Sequence, residues 1–191
     1  LNPHMTDSRQ ASVDRGDSRI DATVVDGVLH GTTRISADGA PVAVLRYAHG
    51  LLFGPATLFH PTGQPSAQLN YVDGKLDGKA VYYAQDGSVQ REAHYARGVL
   101  NGESVTYFPD GTVLERANYR QGALHGVSQR FHPNGRLAEQ QLFREGQPLR
   151  PAEGYASDGR PLGADGRPVP RWKRWWQAVG GTSGGASSAQ S

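Results

Sequence analysis

The stretch Tyr71-Val72-Asp73-Gly74-Lys75-Leu76-Asp77-Gly78, with Tyr82-Tyr83 and Asp86-Gly87 behind it, decides how this chain is read. Shifted by 24 residues in either direction, it meets itself. Tyr71 recurs as Tyr47, Tyr95, Tyr119 and Phe143, Gly74 as Gly50, Gly98, Gly122 and Gly146, and Gly78 as Gly54, Gly102 and Gly126. Leu76 returns as Leu52, Leu100 and Leu124, Tyr83 as Phe59, Tyr107, Phe131 and Tyr155, and Gly87 as Gly63, Gly111, Gly135 and Gly159. An earlier block of 23 residues, Val24 to Arg46, keeps Gly27, Leu29, Gly31 and Gly39. Self-similarity at a fixed period of this order marks an array in which each unit stacks on the next.

Every block carries two turn signals. Asp86-Gly87, Asp110-Gly111, Asn134-Gly135 and Asp158-Gly159 are dipeptides that favour φ > 0 in tight hairpin turns. Asp73-Gly74 and Gln121-Gly122 mark the second turn. Between turns lie extended segments of about seven to ten residues with β-branched and aromatic content. One block is then one β-hairpin. The pattern predicts an all-β fold, an elongated array of about six antiparallel β-hairpins over residues 24–162. Its roughly twelve strands would form a twisted sheet on the order of 55 Å long, at ~4.8 Å per strand. A first-position ring such as Tyr95 is expected to lie across the bare backbone of an eighth-position glycine such as Gly102. The repeated Leu, the small tenth residues (Ala56, Ala80, Ser104, Ser128, Ala152) and Val89, Val113 and Leu137 are expected to form one apolar side. That side is buried only when neighbours stack.

Composition agrees with a thin, turn-rich array. Of 191 residues, 25 are Gly and 12 are Pro, and 37% are hydrophobic; glycine is well above its usual share of ~7%. Twenty Lys and Arg against 18 Asp and Glu leave a net charge of +2, which gives no electrostatic footprint for nucleic acid. Without cysteine there is no disulfide framework, thiol nucleophile or Cys-ligated metal. No apolar run nears the ~18 residues of a membrane span.

Five segments follow from these shifts in composition. Residues 1–5, Leu-Asn-Pro-His-Met, read as an expression scar, and residues 6–23 as a polar, flexible leader. The repeats occupy 24–162, a Pro/Gly linker with a Trp/Arg-rich segment 163–180, and a flexible Gly/Ser tail 181–191. The first block lacks the opening aromatic and reads as an N-terminal cap. The last has Arg150-Pro151 where glycine is expected and reads as a C-terminal cap. No apolar signal region follows Met5, so the expected location is cytoplasmic, or periplasmic if a signal precedes Met5 in the native protein.

Candidate chemistry thins out under the repeat. His60 and His132 hold equivalent sites three blocks apart, roughly 29 Å at two strands per block. No histidine pair has metalloprotease spacing, and no metal is expected. Asp86, Asp110 and Asp158 stand where turns favour Asp. Gly181-Thr182-Ser183-Gly184-Gly185 spells a nucleophile elbow but lacks the strand before and helix after that present the serine. Gly74 to Lys79 is one residue too short for a phosphate-binding loop. Neither catalytic residues nor a cofactor are expected, and the chain is read as a non-enzyme.

The C-terminal segment Val169-Pro170-Arg171-Trp172-Lys173-Arg174-Trp175-Trp176-Gln177-Ala178-Val179-Gly180 predicts a short amphipathic helix. Pro170 suits its first turn and Gly180 its C-cap. Trp172, Trp175, Trp176 and Val179 share one face, opposite Arg171, Lys173 and Arg174. Three roles compete: a cap on the last hairpin's open edge, an anchor for a protein partner, and an anchor at a membrane surface.

The block pattern Tyr71 to Gly78, with Tyr82-Tyr83, Asp86-Gly87 and their echoes, resembles the MORN repeat (membrane occupation and recognition nexus). It is similar to the shorter variant in bacterial YwqK-type antitoxin proteins, over about Val24 to Leu162. The resemblance implies a non-catalytic protein-binding scaffold, an immunity protein or antitoxin of a toxin–antitoxin pair. Its partner would be a cognate toxin, with effectors delivered by type VI secretion among the candidates, and inhibition would come from occlusion. Two alternatives stand beside it: a membrane-associated scaffold, as in other MORN proteins, and an adaptor or chaperone that loads an effector on a secretion spike. Two rows of varied residues are candidate contacts: Phe53, Asp77, Asn101 and His125 at the seventh position, and Gln68, Glu92, Arg116 and Gln140 at the twenty-second. Arg171, Trp172, Lys173, Arg174, Trp175 and Trp176 complete the set.

Overall fold

The structure, a computed structural model, describes residues 7–170. They form one antiparallel sheet of 18 strands, twelve of them six residues or longer. The long strands pair in chain order as a meander. Ser8–Arg15 pairs with Ser18–Val25, followed by Gly31–Ala37, Ala40–Ala48, Gly54–Phe59, Pro65–Val72 and Gly78–Tyr83. Val89–Ala96, Val99–Tyr107, Val113–Arg120, Gly126–Phe131 and Leu137–Arg144 continue it, and the two-residue strand Glu153–Gly154 ends it. No helix occurs among the described residues. The segment expected to be helical lies outside them.

The two turn signals make different turns. At Asp73-Gly74, Arg97-Gly98 and Gln121-Gly122 both residues have positive φ (48° and 77°, 50° and 89°, 51° and 84°). That is the two-residue type I′ turn, whose twist matches that of the strands it joins. Each turn glycine donates its N–H to the leucine carbonyl one repeat earlier: Gly74 to Leu52 at 2.8 Å, Gly98 to Leu76 at 2.7 Å, Gly122 to Leu100 at 2.8 Å and Gly146 to Leu124 at 2.8 Å. The fixed Leu and Gly are thus two ends of one hydrogen bond. At Asp86-Gly87 only Gly87 has positive φ, 86°. The loop is longer and closes through Ala84 and Ser88, while Asp86 Oδ1 accepts from the Ser88 N–H and hydroxyl. Hydrogen bonds from Ser88 and Thr112 hold the Asp86 and Asp110 carboxyls below the usual carboxylate range.

The core centres on a row of small residues across one face, with Ala43 and Ala67 buried in the adjoining row of that face and Val105 buried on the other. Register places Ala56 opposite Leu69, Ala80 opposite Ala93, Ala93 opposite Ser104 and Ser104 opposite Ala117. Partners directly opposite point the same way, so the row is continuous. Leu58 and Tyr82 from one side and Leu76, Tyr71 and Tyr95 from the other pack over it. The Tyr82 and Tyr95 hydroxyls meet at 3.2 Å. Ala80 and Ala93 beneath them are 1% and 0% exposed.

Three expectations are corrected by this arrangement. Tyr95 does not cover Gly102. It pairs with Gly78 of the preceding block, and Gly102 pairs with Tyr119 of the next. Asn101 to Glu103 bulge opposite His94, and a Cβ on Gly102 (φ 119°) would lie 3.1 Å from the His94 Cβ. Glycine is needed there for close backbone approach as well as for φ.

The polar leader is, second, the first hairpin of the sheet. Ser8–Arg15 and Ser18–Val25 pair through eight residues around Gly16-Asp17, with positive φ (61°) only at Gly16, the pattern of a type II′ turn. Ala11 opposite Ala22 and Val13 opposite Ile20 extend the apolar side by simple alternation. The block from Val24 is therefore not the N-terminal cap. Third, residues 163–169 are a continuation of the array and not a linker. Ala156 to Arg160 and Gly163 to Arg167 close two similar Asp-Gly loops, Leu162 N–H donates to the Gly154 carbonyl, and Val169 N–H to that of Pro161.

Two expectations follow from the core. Ala93→Leu puts extra methylenes under the Tyr82–Tyr95 bridge and should cost about 1–3 kcal/mol in urea denaturation, whereas Val127→Thr on an exposed position should stay within about 0.5 kcal/mol. The Tyr82 phenol is pushed up to about 12, by burial first and then by its bond to Tyr95. Below about pH 10 it is neutral in both states. From about pH 10 to 12 the unfolded chain ionises first, so stability falls with rising pH. The loss of urea midpoint between about pH 9 and pH 11.5 should be smaller in Tyr82→Phe than in the unmodified chain.

Candidate functional site

The opposite face carries a cross-strand row of polar and β-branched residues. Register takes it without a break from Ser12 through Asp21, Arg34, Val44, Thr57 and Gln68. It continues through Val81, Glu92, Val105, Arg116, Gln129, Gln140 and Glu153. The twenty-second-position residues Gln68, Glu92, Arg116 and Gln140 stand on every second strand of this row. From Gln68 to Gln140 they span six strand spacings, on the order of 29 Å. The period of 24 with two long strands per repeat is what aligns them.

Each of the four is held by neighbouring side chains. The Tyr83 hydroxyl donates to Gln68 Oε1 at 2.9 Å, and that of Tyr107 to Glu92 Oε2 at 3.4 Å. Lys79 pairs with Glu92 at 2.8 Å and Arg116 with Glu103 at 3.1 Å. Gln140 donates to Glu153 Oε2 at 2.7 Å, and the Tyr155 hydroxyl to the same atom at 3.2 Å. The Gln140 bond, then those of Tyr155 and the charge of Arg150, hold the Glu153 carboxyl below its ordinary range. Burial and then Glu92 raise the Tyr107 phenol. The thirteenth-position tyrosines Tyr83, Tyr107 and Tyr155 thus supply phenol groups that fix parts of the polar row. These exposed ion pairs add little stability; what they provide is a fixed arrangement of donors, acceptors and ring edges.

The seventh-position residues do not join this row. They sit at the bulges beside the X-Gly turns, and the four split. Asp77 Oδ2 accepts from the Arg97 N–H at 3.1 Å, and Asn101 Oδ1 from the Gln121 N–H at 3.1 Å. Both fasten one repeat to the next repeat's turn. Phe53 is 50% exposed and lines a shallow depression with His30, Arg46 and Pro55. His125 Nδ1 is enclosed without a hydrogen-bond partner. Position in the repeat alone did not separate a residue reaching a neighbouring turn from one reaching solvent.

His60 and His132 also have a structural task. Their Nε2 atoms lie 3.0 Å and 2.8 Å from the carbonyls of Tyr83 and Tyr155 in the following repeat. Among the described residues no group of three or more His, Asp or Glu is placed to hold a metal ion. No helix among them is long and apolar enough to cross a membrane. Arg171, Trp172, Lys173, Arg174, Trp175 and Trp176 lie outside the described residues.

The family model of the MORN repeat variant matches residues 76–96, 100–121 and 124–145, three consecutive repeats of the sheet. No curated protein matches the chain. Among solved structures, the GtfA/B complex bound to UDP and GlcNAc is similar at 14% identity and a TM-score of 0.26, over 72% of this chain and 24% of that one. TarM is similar at 10% identity and a TM-score of 0.26, over 74% and 21%. The chain spans less than a quarter of the length of either protein, and likeness at this level carries no argument about activity.

The division of labour between the two rows is measurable. Asp77→Ala and Asn101→Ala each remove a bond between repeats and should cost about 0.5–1.5 kcal/mol of folding stability. Glu92→Ala and Arg116→Ala should stay within about 0.5 kcal/mol. Urea denaturation of the four variants checks this.

Proposed function

We propose that the chain is a non-catalytic bacterial scaffold that binds a protein partner along the row Gln68, Glu92, Arg116 and Gln140. The observation that carries this reading is the unbroken cross-strand row itself, with Tyr83, Tyr107 and Tyr155 fixing its polar groups. Its span of roughly 29 Å suits a standard protein interface, which buries about 800 Å² per partner. Aromatic side chains beside charged ones are the residue types that dominate such contacts. Repeat arrays present extended surfaces of this kind while their core positions stay fixed.

The resemblance to YwqK-type antitoxins extends the proposal to the partner. That partner is a toxin, type VI secretion effectors being one source, and the sheet neutralises it by covering its active site. Binding occurs in the cytoplasm, or in the periplasm if a signal precedes Met5. The Trp/Arg segment 171–176 adds contacts to the same partner.

Affinity purification from the native host, with bound proteins identified by mass spectrometry, is the first test. The expected result is a stoichiometric partner that is lethal when expressed alone and harmless when expressed with this chain. The double variant Glu92→Lys with Arg116→Glu should lose rescue and partner binding together while keeping the urea midpoint within about 0.5 kcal/mol of the original. Recovery of secretion-spike components without a toxin would replace the immunity reading with the adaptor. Retained rescue in the double variant would remove this face as the contact surface.

A further inference from the structure

The two ends of the sheet are built differently. At the C-terminal end strand length falls from the eight residues of Leu137–Arg144 to the two of Glu153–Gly154. Among the described residues beyond it, the pairing falls to the single bridges Tyr155 to Pro161 and Leu162 to Pro168. A tapered edge with prolines, which have no N–H, is a poor template for another strand. At the N-terminal end Ser8–Arg15 is eight residues long, has no proline, and pairs with Ser18–Val25 without a register shift. No described residue pairs with its outer side. Asp26 N–H donates to the Asp7 carbonyl, so the odd-numbered residues of this strand bond inward. By antiparallel alternation, the backbone N–H and C=O groups of Ser8, Gln10, Ser12 and Asp14 point outward.

We propose that this edge pairs with the same edge of a second copy of the chain, antiparallel about a two-fold axis through Ala11. A two-fold axis normal to the sheet keeps each face continuous across the junction, so paired residue numbers differ by an even count. Centred on Ala11, the pairing sets Asp7 of one protomer opposite Arg15 of the other, and this occurs twice. Ser8 then faces Asp14, Gln10 faces Ser12, and Arg9 faces Val13. The outward-pointing residues fall on the hydrogen-bonded pairs, as the ladder requires. Moving the centre to Ser12 would put Arg9 opposite Arg15, and like charges opposed across strands are destabilising. Moving it to Gln10 would leave Asp7 opposite Val13 with no charge partner.

The apolar face supports the same centre. Ala22 is 5% exposed and lies opposite Ala11. The row of small residues that forms the core therefore runs through Ala22 and Ala11 into the same two residues of the second copy, with nothing bulky between. Val13, 58% exposed in the single chain, gains the aliphatic stem of the facing Arg9. The assembly is one continuous sheet, carrying the polar row of both copies on one side.

The absence of cysteine permits a direct test on the full chain. At the two-fold, the two Ala11 residues form a non-hydrogen-bonded pair with Cα atoms ~4.5 Å apart, within disulfide range. Ala11→Cys is expected to form a covalent dimer nearly quantitatively under mild oxidation. Gln10→Cys, offset by two residues from its own copy and so beyond about 7 Å, is expected to cross-link at least tenfold more slowly. Sedimentation of the unmodified chain should show a dimer at tens of micromolar. Arg15→Asp should weaken it at least tenfold, and Asp7→Arg combined with Arg15→Asp should restore it. A monomeric unmodified chain, equal cross-linking of the two cysteine variants, or failure of the charge swap to restore association would each overturn the proposal.

Discussion

A single-layered sheet has no second layer to cover its apolar face, so this protein must bury that face with side chains from the same layer. The interaction that achieves this is the closure of Tyr and Leu side chains over a row of residues too small to obstruct them. The Tyr82–Tyr95 bridge above Ala80 and Ala93 is its clearest instance. Large residues in the row would hold the flanks apart and leave both sides wet. Among the described residues the buried set is accordingly mostly alanine, with no large side chain fully enclosed. Stability comes from repetition along the row, since no single repeat contains a core of its own.

The glycines and leucines serve the same end from the turn side. The bond from each X-Gly turn to the leucine carbonyl one repeat back keeps successive turns in step, which keeps the tyrosines above the alanines in register. Asp77, Asn101, His60 and His132 strengthen individual junctions where their side chains happen to reach. The opposite face, Val105 apart at 6% exposed, carries less of the packing and differs between repeats. The proposed role as a protein-binding scaffold rests on this separation of constant and variable faces.

What the sequence disclosed follows from this. Gly74 and Gly78 recur because positive φ (77° and 90°) favours glycine there, and Leu76 because its side chain packs on the core; such demands are visible without coordinates. The row Gln68, Glu92, Arg116, Gln140 was legible for the same reason, since a period of 24 over two strands returns a residue to the same face. Residues 8–25 were not legible as part of the array, because an edge hairpin buries little and lacks the leucine staple. Its only marks were the alternation Ala11, Val13, Ile20, Ala22 and the Gly16-Asp17 pair. The matching of Tyr119 with Gly102 is not legible in the period, because the pairing crosses from one 24-residue block into the next. Asp158-Gly159 was legible as a turn, but the following loop at Asp165-Gly166 was hidden by proline, which reads as a linker whenever the returning strand is too short to see.

The meander has a kinetic consequence. None of the described backbone pairs joins residues farther apart along the chain than about one repeat. All-β proteins usually fold slowly because their strands find partners across long loops, whose closure entropy must be met before any contact forms. Here every partner is the next strand. Contact order is low for a sheet protein, and nucleation is available at any of several near-equivalent hairpins. Such a chain can begin to fold while its C-terminal repeats are still being synthesised, with each finished hairpin serving as the template for the one behind it.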